Sequence, residues 1–418
     1  MTTFSDAVDD FLAPYGADDV RRRAWSQVLG VGLPTTSDEV WRYAPLEDFS
    51  LDRFSLVTSP HSGPQSDFAA HLAARGDVVH VVDGFLVEAP SLDGVSVTTS
   101  EDEASLTGET PLERYAGDAF ALLNEAFAPA TVVVSVAPGV VLARPLIILN
   151  VTNSSTSFTR LHVEIGRGAN ASIVEYLEGG EDALVVPLSE FHVGDNASLH
   201  MVTYQRLAPS AWHVARSTGL LERDARLRQA VVGLGARYDR SRNDAIMRAS
   251  GASNELRTTY LGTGEQVHDF RTRQFHVAAR TQSTLLAKGA VADQSRSIYT
   301  GLIEIERGAK RTDARQTNRN LLLAPSAHAD SVPNLEIREN DVICAHASSV
   351  GPLDEMQRWY LESRGVERGD AERLMIQGFF NEMMVALPAD VAALVEADVH
   401  AALDTVEVSA RRPTTLAH

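Results

Sequence analysis

The sequence has almost no cysteine, almost no lysine, few aromatics and no unbroken apolar run. Its one cysteine, Cys344, excludes an intrachain disulfide framework and any metal or cluster site built from the cysteines of one chain. Lysine occurs only as Lys288 and Lys310, and all other basic residues are arginine. That bias follows genome composition and says nothing about function. A basic surface is also lacking: 37 Lys+Arg stand against 56 Asp+Glu, a net charge of −19. Nucleic acid or an anionic membrane is therefore not expected as the main partner, since both need basic patches. The most apolar stretch, Thr131 to Leu149, is broken by Pro138, Gly139, Arg144 and Pro145. A membrane helix needs about 20 predominantly apolar residues, so this stretch reads as two strands around a Pro-Gly turn. The opening residues, with Asp6, Asp9 and Asp10, are acidic where a signal peptide would be basic. A soluble, cytoplasmic protein is expected.

Motifs of common enzymes are missing as well. Nothing matches the phosphate-binding G-x-x-x-x-G-K-[ST] loop, the H-E-x-x-H metal motif or the G-x-S-x-G nucleophile elbow. The acidic pairs Glu304/Glu306 and Glu336/Glu339 read as solvated surface. His200, His268, His276 and His328 have no pair spacing and read as structural or surface residues.

What is present divides into three zones. At 418 residues the chain exceeds the roughly 250–300 at which single cores stop growing, so several domains or one elongated repeat body are expected. Residues 1–125 are helical or mixed. Asp18 and Asp19 precede Val20, Trp25, Val28 and Leu29 at helical spacing, and Gly30, Gly32 and Pro34 stop that helix. A β-like run follows at Val78 to Val87, and Phe120, Leu123 and Phe127 share a helical face. Residues 126–351 are short alternating runs rich in Val, Ile, Thr and Tyr, punctuated by Gly, Asn and Asp. Here an apolar-Gly-x-x-Ala form recurs at Ile165–Ala169, Val193–Ala197 and Val232–Ala236, with Ile305 and Ala309 keeping its ends. Recurring corners without helical signal point to stacked β-rungs, with an antiparallel sandwich as the alternative. Residues 352–418 are helical again: a segment opened by Pro352 and Asp354, a helix N-capped by Asp370 with Leu374, Met375 and Phe379 as its stripe, and a third starting at Pro388.

Cys344-Ala345-His346 is the one pattern with metal chemistry. On a strand, residues i and i+2 project from one face, so a thiolate and an imidazole there can share an ion. That donor set suits iron or zinc, but two ligands do not fill a tetrahedral site. Further donors would have to come from another chain or a transient ligand. The alternative is a buried cysteine beside a satisfied histidine.

The residues around this pair resemble a known family. Arg311-Thr-Asp-Ala-Arg-Gln316 and the run to Leu323, Pro333-Asn-Leu-Glu-Ile337, Asp341-Val-Ile-Cys-Ala-His346, Val350-Gly-Pro-Leu-Asp-Glu355 and Tyr360-Leu-Glu-Ser-Arg-Gly365 are similar to segments of the SufB/SufD family. These are scaffold subunits of the Suf iron–sulfur cluster assembly complex. Weaker similarity extends upstream to Pro34–Tyr43 and to Leu123, Asn124 and Phe127. Thr312-Asp313-Ala314 and the retained Cys-x-His look like the SufD side of the family. Ala345 and Ala347 depart from the family's usual Ser and Gly, and a left-handed backbone after the histidine would strain Ala347.

The resemblance implies a mainly β protein, a right-handed parallel β-helix core (126–351) flanked by an N-terminal helical or mixed domain (1–125) and a C-terminal helical domain (352–418). It implies a non-catalytic scaffold that pairs with a SufB-like sister through the β-helix ends. A SufC-like ATPase would dock on the C-terminal helices, where Met375, Phe379 and Phe380 are the expected surface. No tightly bound cofactor is implied. A transient iron or iron–sulfur cluster would be shared with the sister subunit, with His346 as its expected ligand and Cys344 beside it. A β-helix carbohydrate-active enzyme and a homodimeric scaffold without a sister are the alternatives.

Overall fold

The computed structural model describes residues 3–100, 115, 117–385 and 387–406. Residues 101–114 and 407–418, parts of the expected terminal domains, lie outside the described residues. The central chain coils so that each turn lays one strand in each of two sheets, and neighbouring strands within a sheet are parallel. One sheet begins with β1 (Asp77–Val82) and β2 (Phe85–Glu88), then continues with β5 (Leu146–Thr152), β8 (Asn170–Gly179), β11 (Ser198–Leu207) and β13 (Arg226–Gly233). It ends with β15 (Ser253–Gly262), β17 (Gln282–Val291), β19 (Thr312–Leu322) and β21 (Val342–Gly351). The facing sheet begins with β3 (Val95–Ser100), β4 (Thr131–Val136), β7 (Arg160–Ile165), β10 (Leu188–Val193) and β12 (Trp212–Leu221). It ends with β14 (Tyr238–Met247), β16 (Val267–His276), β18 (Arg296–Ile305) and β20 (His328–Ile337), while β6 (Thr156–Ser157) and β9 (Leu184–Val185) extend two of its turns. This is a parallel β-helix, and the sandwich alternative is excluded by the parallel register. The apolar stretch at Thr131 to Leu149 is β4 and β5 around a turn at Pro138 and Gly139, the latter at φ 76°.

The corners explain the repeat. Ala169, Ala197, Ala225 and Ala252 are buried at one corner of successive turns, and each carbonyl accepts from an amide one turn further on. A small side chain there lets the coils stack closely. The residue before each of the first three is left-handed: Gly168, Asn196 and Asp224. The Val232–Ala236 copy lies at the opposite corner, so the apparent repeat merged two corners. Its true counterpart is Leu221–Ala225, where Glu222 replaces the glycine. Gly194 is a close-approach site: a Cβ there would meet the Ile165 carbonyl oxygen at 2.9 Å.

Helices cover both outer faces. α1 (Phe4–Leu12), α2 (Val20–Val31) and, further along, α4 (Ala119–Phe127) pack over Trp212 and Tyr238 of the second sheet. Asp19 N-caps α2 and Gly32 ends it at φ 78°, as the sequence predicts. α3 (Asp67–Ala73) lies on the first sheet together with two of the three C-terminal helices, α5 (Glu355–Ser363), α6 (Arg368–Met384) and α7 (Ala389–Leu403). Ile376, Phe380 and Met383 of α6 and Val391, Val395 and Val399 of α7 share one core with Tyr204, Val232, Leu261 and Ala290. Two expectations are corrected here. Asp370 sits in the first turn of α6 rather than at its cap, which is Glu367. The buried stripe is rotated from the expected one: Leu374 is exposed, while Phe380 is buried against the β-helix and unavailable to a partner. The helical moment of α6 is blurred because it has apolar residues on several faces, so spacing alone misplaces its contact side.

Candidate functional site

β21 is the last strand of the first sheet. Among the described residues it pairs on one side only, with β19, matching Ala314 to Cys344 and Gln316 to His346. Ala314 and Gln316 are buried in the lumen of the β-helix. The shared register therefore puts Cys344 and His346 on the lumen side of the final turn, where no further coil of the described residues covers them. Ser348 follows on the same face and its hydroxyl lies 2.8 Å from that of Ser331 on β20. Cys344 is half-buried against Ile303, Ile305 and Ala314, and His346 is exposed. Ala347 is extended mid-strand opposite Thr317, with no left-handed backbone, so its departure from glycine costs no strain.

Burial, and then the Asp313 carboxylate, raise the Cys344 thiol above its ordinary range. The protonated thiol is a poor ligand until a cation approaches. Among the described residues no group of three or more His, Cys, Asp and Glu side chains is able to hold a metal ion. The pair at 344 and 346 thus supplies at most two donors. Around it the end of the β-helix exposes Val332, Leu335 and Ile337 on β20 and Ile343 (58% exposed) and Val350 on β21. An open strand edge with apolar side chains is an association surface.

Of the histidines read as structural, His268 and His276 are buried in the lumen. His268 and His213 both donate through Nδ1 to Asp239, at 3.0 and 2.7 Å. Burial alone would raise the Asp239 carboxyl, but these two bonds hold it well below the carboxylate range. Spacing missed this ladder, because its members lie on three successive turns and meet only through register. His276 bonds Thr281 and Ser283 through its two ring nitrogens, and burial lowers its pKa to about 4. Its folded value lies below the unfolded value of about 6.5. Its contribution is therefore whole above pH 6.5 and lost as pH falls towards 4, by about 3 kcal/mol at most. Burial raises Glu175 to about 7 against its bond to Asn150, and its contribution runs oppositely, lost as pH rises from 4.5 to 7. Urea unfolding of the wild type and His276→Asn across pH 4–7 cancels the Glu175 slope. The stability gap between them is expected to narrow at low pH, and a constant gap would contradict the assignment.

Taken together, these features define a helix-clad parallel β-helix whose last strand carries a Cys-x-His pair among exposed apolar residues. The family described as SUF system FeS cluster assembly, SufBD core domain, matches residues 147–379. The iron–sulfur cluster assembly protein SufD of Escherichia coli is 30% identical over 375 residues, 86% of this chain and 87% of its own. SufD of Bacillus subtilis is 33% identical over 211 residues, 50% of this chain and 48% of its own. A SufBD family protein of Mycobacterium tuberculosis is 28% identical over 369 residues, 85% of this chain and 86% of its own. The chain belongs to the SufBD family of the SUF iron–sulfur cluster assembly system and is SufD-like.

Proposed function

We propose that the protein is a non-catalytic scaffold subunit of a Suf complex, pairing end to end with a SufB-like sister and offering His346 to the nascent cluster. The observation that carries this reading is the location of the donor pair: Cys344 and His346 lie on a strand that ends the β-helix, pairs on one side only among the described residues, is edged with apolar side chains and is short of ligands. A partner β-helix abutting that end would complete both the sheet and the coordination. Iron or the cluster is then cargo, held while it is built. The cytoplasm is the proposed compartment, and no helix among the described residues is long and apolar enough to cross a membrane. Co-expression with SufB-like and SufC-like subunits tests the reading: a stable complex that builds clusters supports it, and an exclusive homodimer that ignores the sister would refute it.

The ATPase would dock on α5. Met356, Trp359 (61% exposed) and Tyr360 form an apolar outer surface there, whereas Phe380 is covered. Trp and Tyr are the residues that most often dominate interface energetics. Trp359→Ala is expected to weaken ATPase binding by about 2 kcal/mol, roughly 30-fold, without changing the melting temperature. Calorimetric titration with the ATPase subunit reads this, and unchanged affinity would move the docking site elsewhere. Deleting residues 352–418 is a poorer test, because it strips α6 and α7 from Tyr204, Val232 and Leu261 and uncovers the core.

The carbohydrate-enzyme alternative needs a groove of carboxylates and aromatic platforms. A cleft on the β-helix flank has a mainly cationic lining, with five arginines beside Asp118, Asp244 and Trp41. Incubation with pectin-like polymers is expected to release no reducing ends.

A further inference from the structure

That cleft has no part in the proposed scaffold site. It is a cavity of about 320 Å³ on the outer face of the second sheet, under the 3-10 turn at Glu39–Trp41 and the start of α4. Five arginines line it: Arg216 on β12, Arg240 and Arg242 on β14, and Arg271 and Arg273 on β16. Register makes three of them direct neighbours, Arg216 beside Arg242 and Arg242 beside Arg271. Like charges side by side on adjacent strands destabilise a sheet. In a chain of net charge −19 this concentration is not a by-product of composition.

The carboxylates present do not balance it. Arg216 pairs with Asp118 at 3.1 Å and with Asp244 at 3.7 Å, and Arg242 shares Asp244. Asp269 takes both Arg240 and Arg271, and Glu304 takes Arg273. Five guanidinium groups thus meet four carboxylates. Arg240 spends one terminal nitrogen on both Asp269 and the Val40 carbonyl, with the Trp41 ring 3.8 Å away. Arg242 and Arg271 are different. Each reaches its carboxylate through Nε alone, which leaves the terminal Nη groups to the cavity. The Nε of Arg216 is buried without a partner. Burial depresses the Arg271 guanidinium, and the neighbouring Arg240 charge opposes the help it receives from Asp269.

We propose that this cavity binds a phosphoryl or pyrophosphoryl group through the terminal nitrogens of Arg242 and Arg271. Paired N–H donors of a guanidinium match phosphate oxygens two at a time. Adjacent strands stand about 4.8 Å apart, a span that two linked phosphoryl groups cover and a single carboxylate does not. The volume suits a small ligand or the phosphate end of a larger one.

Calorimetric titration of the full chain with inorganic pyrophosphate, ADP and succinate tests the site. Saturable pyrophosphate binding is expected, with succinate weaker. Affinity for ADP equal to that for pyrophosphate makes phosphoryl groups the whole ligand, and tighter ADP binding adds a nucleoside. Arg271→Gln is expected to weaken pyrophosphate binding by about tenfold or more. Arg242→Lys keeps the charge beside Asp244 but loses the forked donors, so it must also weaken binding even if Arg271→Gln fails to fold. Arg223→Gln, at a corner outside the cavity, should change nothing. Absence of saturable pyrophosphate binding, succinate binding tighter than pyrophosphate, or equal affinity in wild type and Arg242→Lys would each overturn the proposal.

Discussion

His346→Ala is expected to abolish cluster formation in a reconstituted complex with SufB-like and SufC-like subunits while leaving the complex assembled. The side chain is exposed on the last strand, so its removal leaves no cavity and no buried partner. On the proposed reading it removes a donor at a site that has at most two from the described residues of this chain. Loss of groups that merely support metal ligands already costs 10–100-fold, and loss of a ligand should cost about that or more. Cys344→Ser is expected to do less. Its thiol is held protonated by burial and by Asp313, and a neutral thiol contributes little until metal is already bound. Iron and acid-labile sulfide per complex, measured over time, separate the two. A larger loss from Cys344→Ser than from His346→Ala would reverse the assigned roles.

A charge at the β-helix end formed by β21 is expected to prevent pairing with the sister subunit. Ile343 is more than half exposed on β21, and Val350 lies near the far end of the same strand. If a partner covers this end, Ile343→Asp buries an unpaired carboxylate, at a cost of about 3–5 kcal/mol. That corresponds to a loss of affinity of more than about a hundredfold. The isolated variant should melt as the wild type does, because the side chain is exposed when the chain is alone. Size-exclusion chromatography with light scattering on mixed subunits reads the outcome. Retention of the heterodimer by Ile343→Asp would remove this end from the interface.

Much of the β-helix is legible in the sequence because its determinants are local. Alternation along each strand, a small residue at Ala169 or Ala197, and a left-handed Gly168 or Asn196 beside it all lie within a few positions. The placement of Cys344 and His346 on one face follows from the period of a strand, and their position on the last strand places them at an end. What sequence does not reveal depends on register between turns. His213, Asp239 and His268 are separated by 26 and 29 residues and become neighbours only once the coils are aligned. The stacking of Arg216, Arg242 and Arg271 has the same origin. The two corners of the β-helix use similar small residues, which is why Val232–Ala236 passes for a copy of Val193–Ala197. Contact faces of the C-terminal helices fail for another reason. α6 carries Leu374, Met375, Phe379 and Phe380 around more than half its circumference, and only the sheet beneath selects Phe380.

Amide hydrogen exchange of β21, with and without the SufB-like subunit, tests the central claim most directly. Among the described residues no strand neighbours Val342–Gly351 on the side away from β19. Addition of the sister is expected to slow exchange across Val342–Gly351 and His328–Ile337 while leaving α5 unchanged. Protection confined to the helices or to the flanks, with β21 exchanging as fast as before, would contradict the assignment of this end as the shared assembly site.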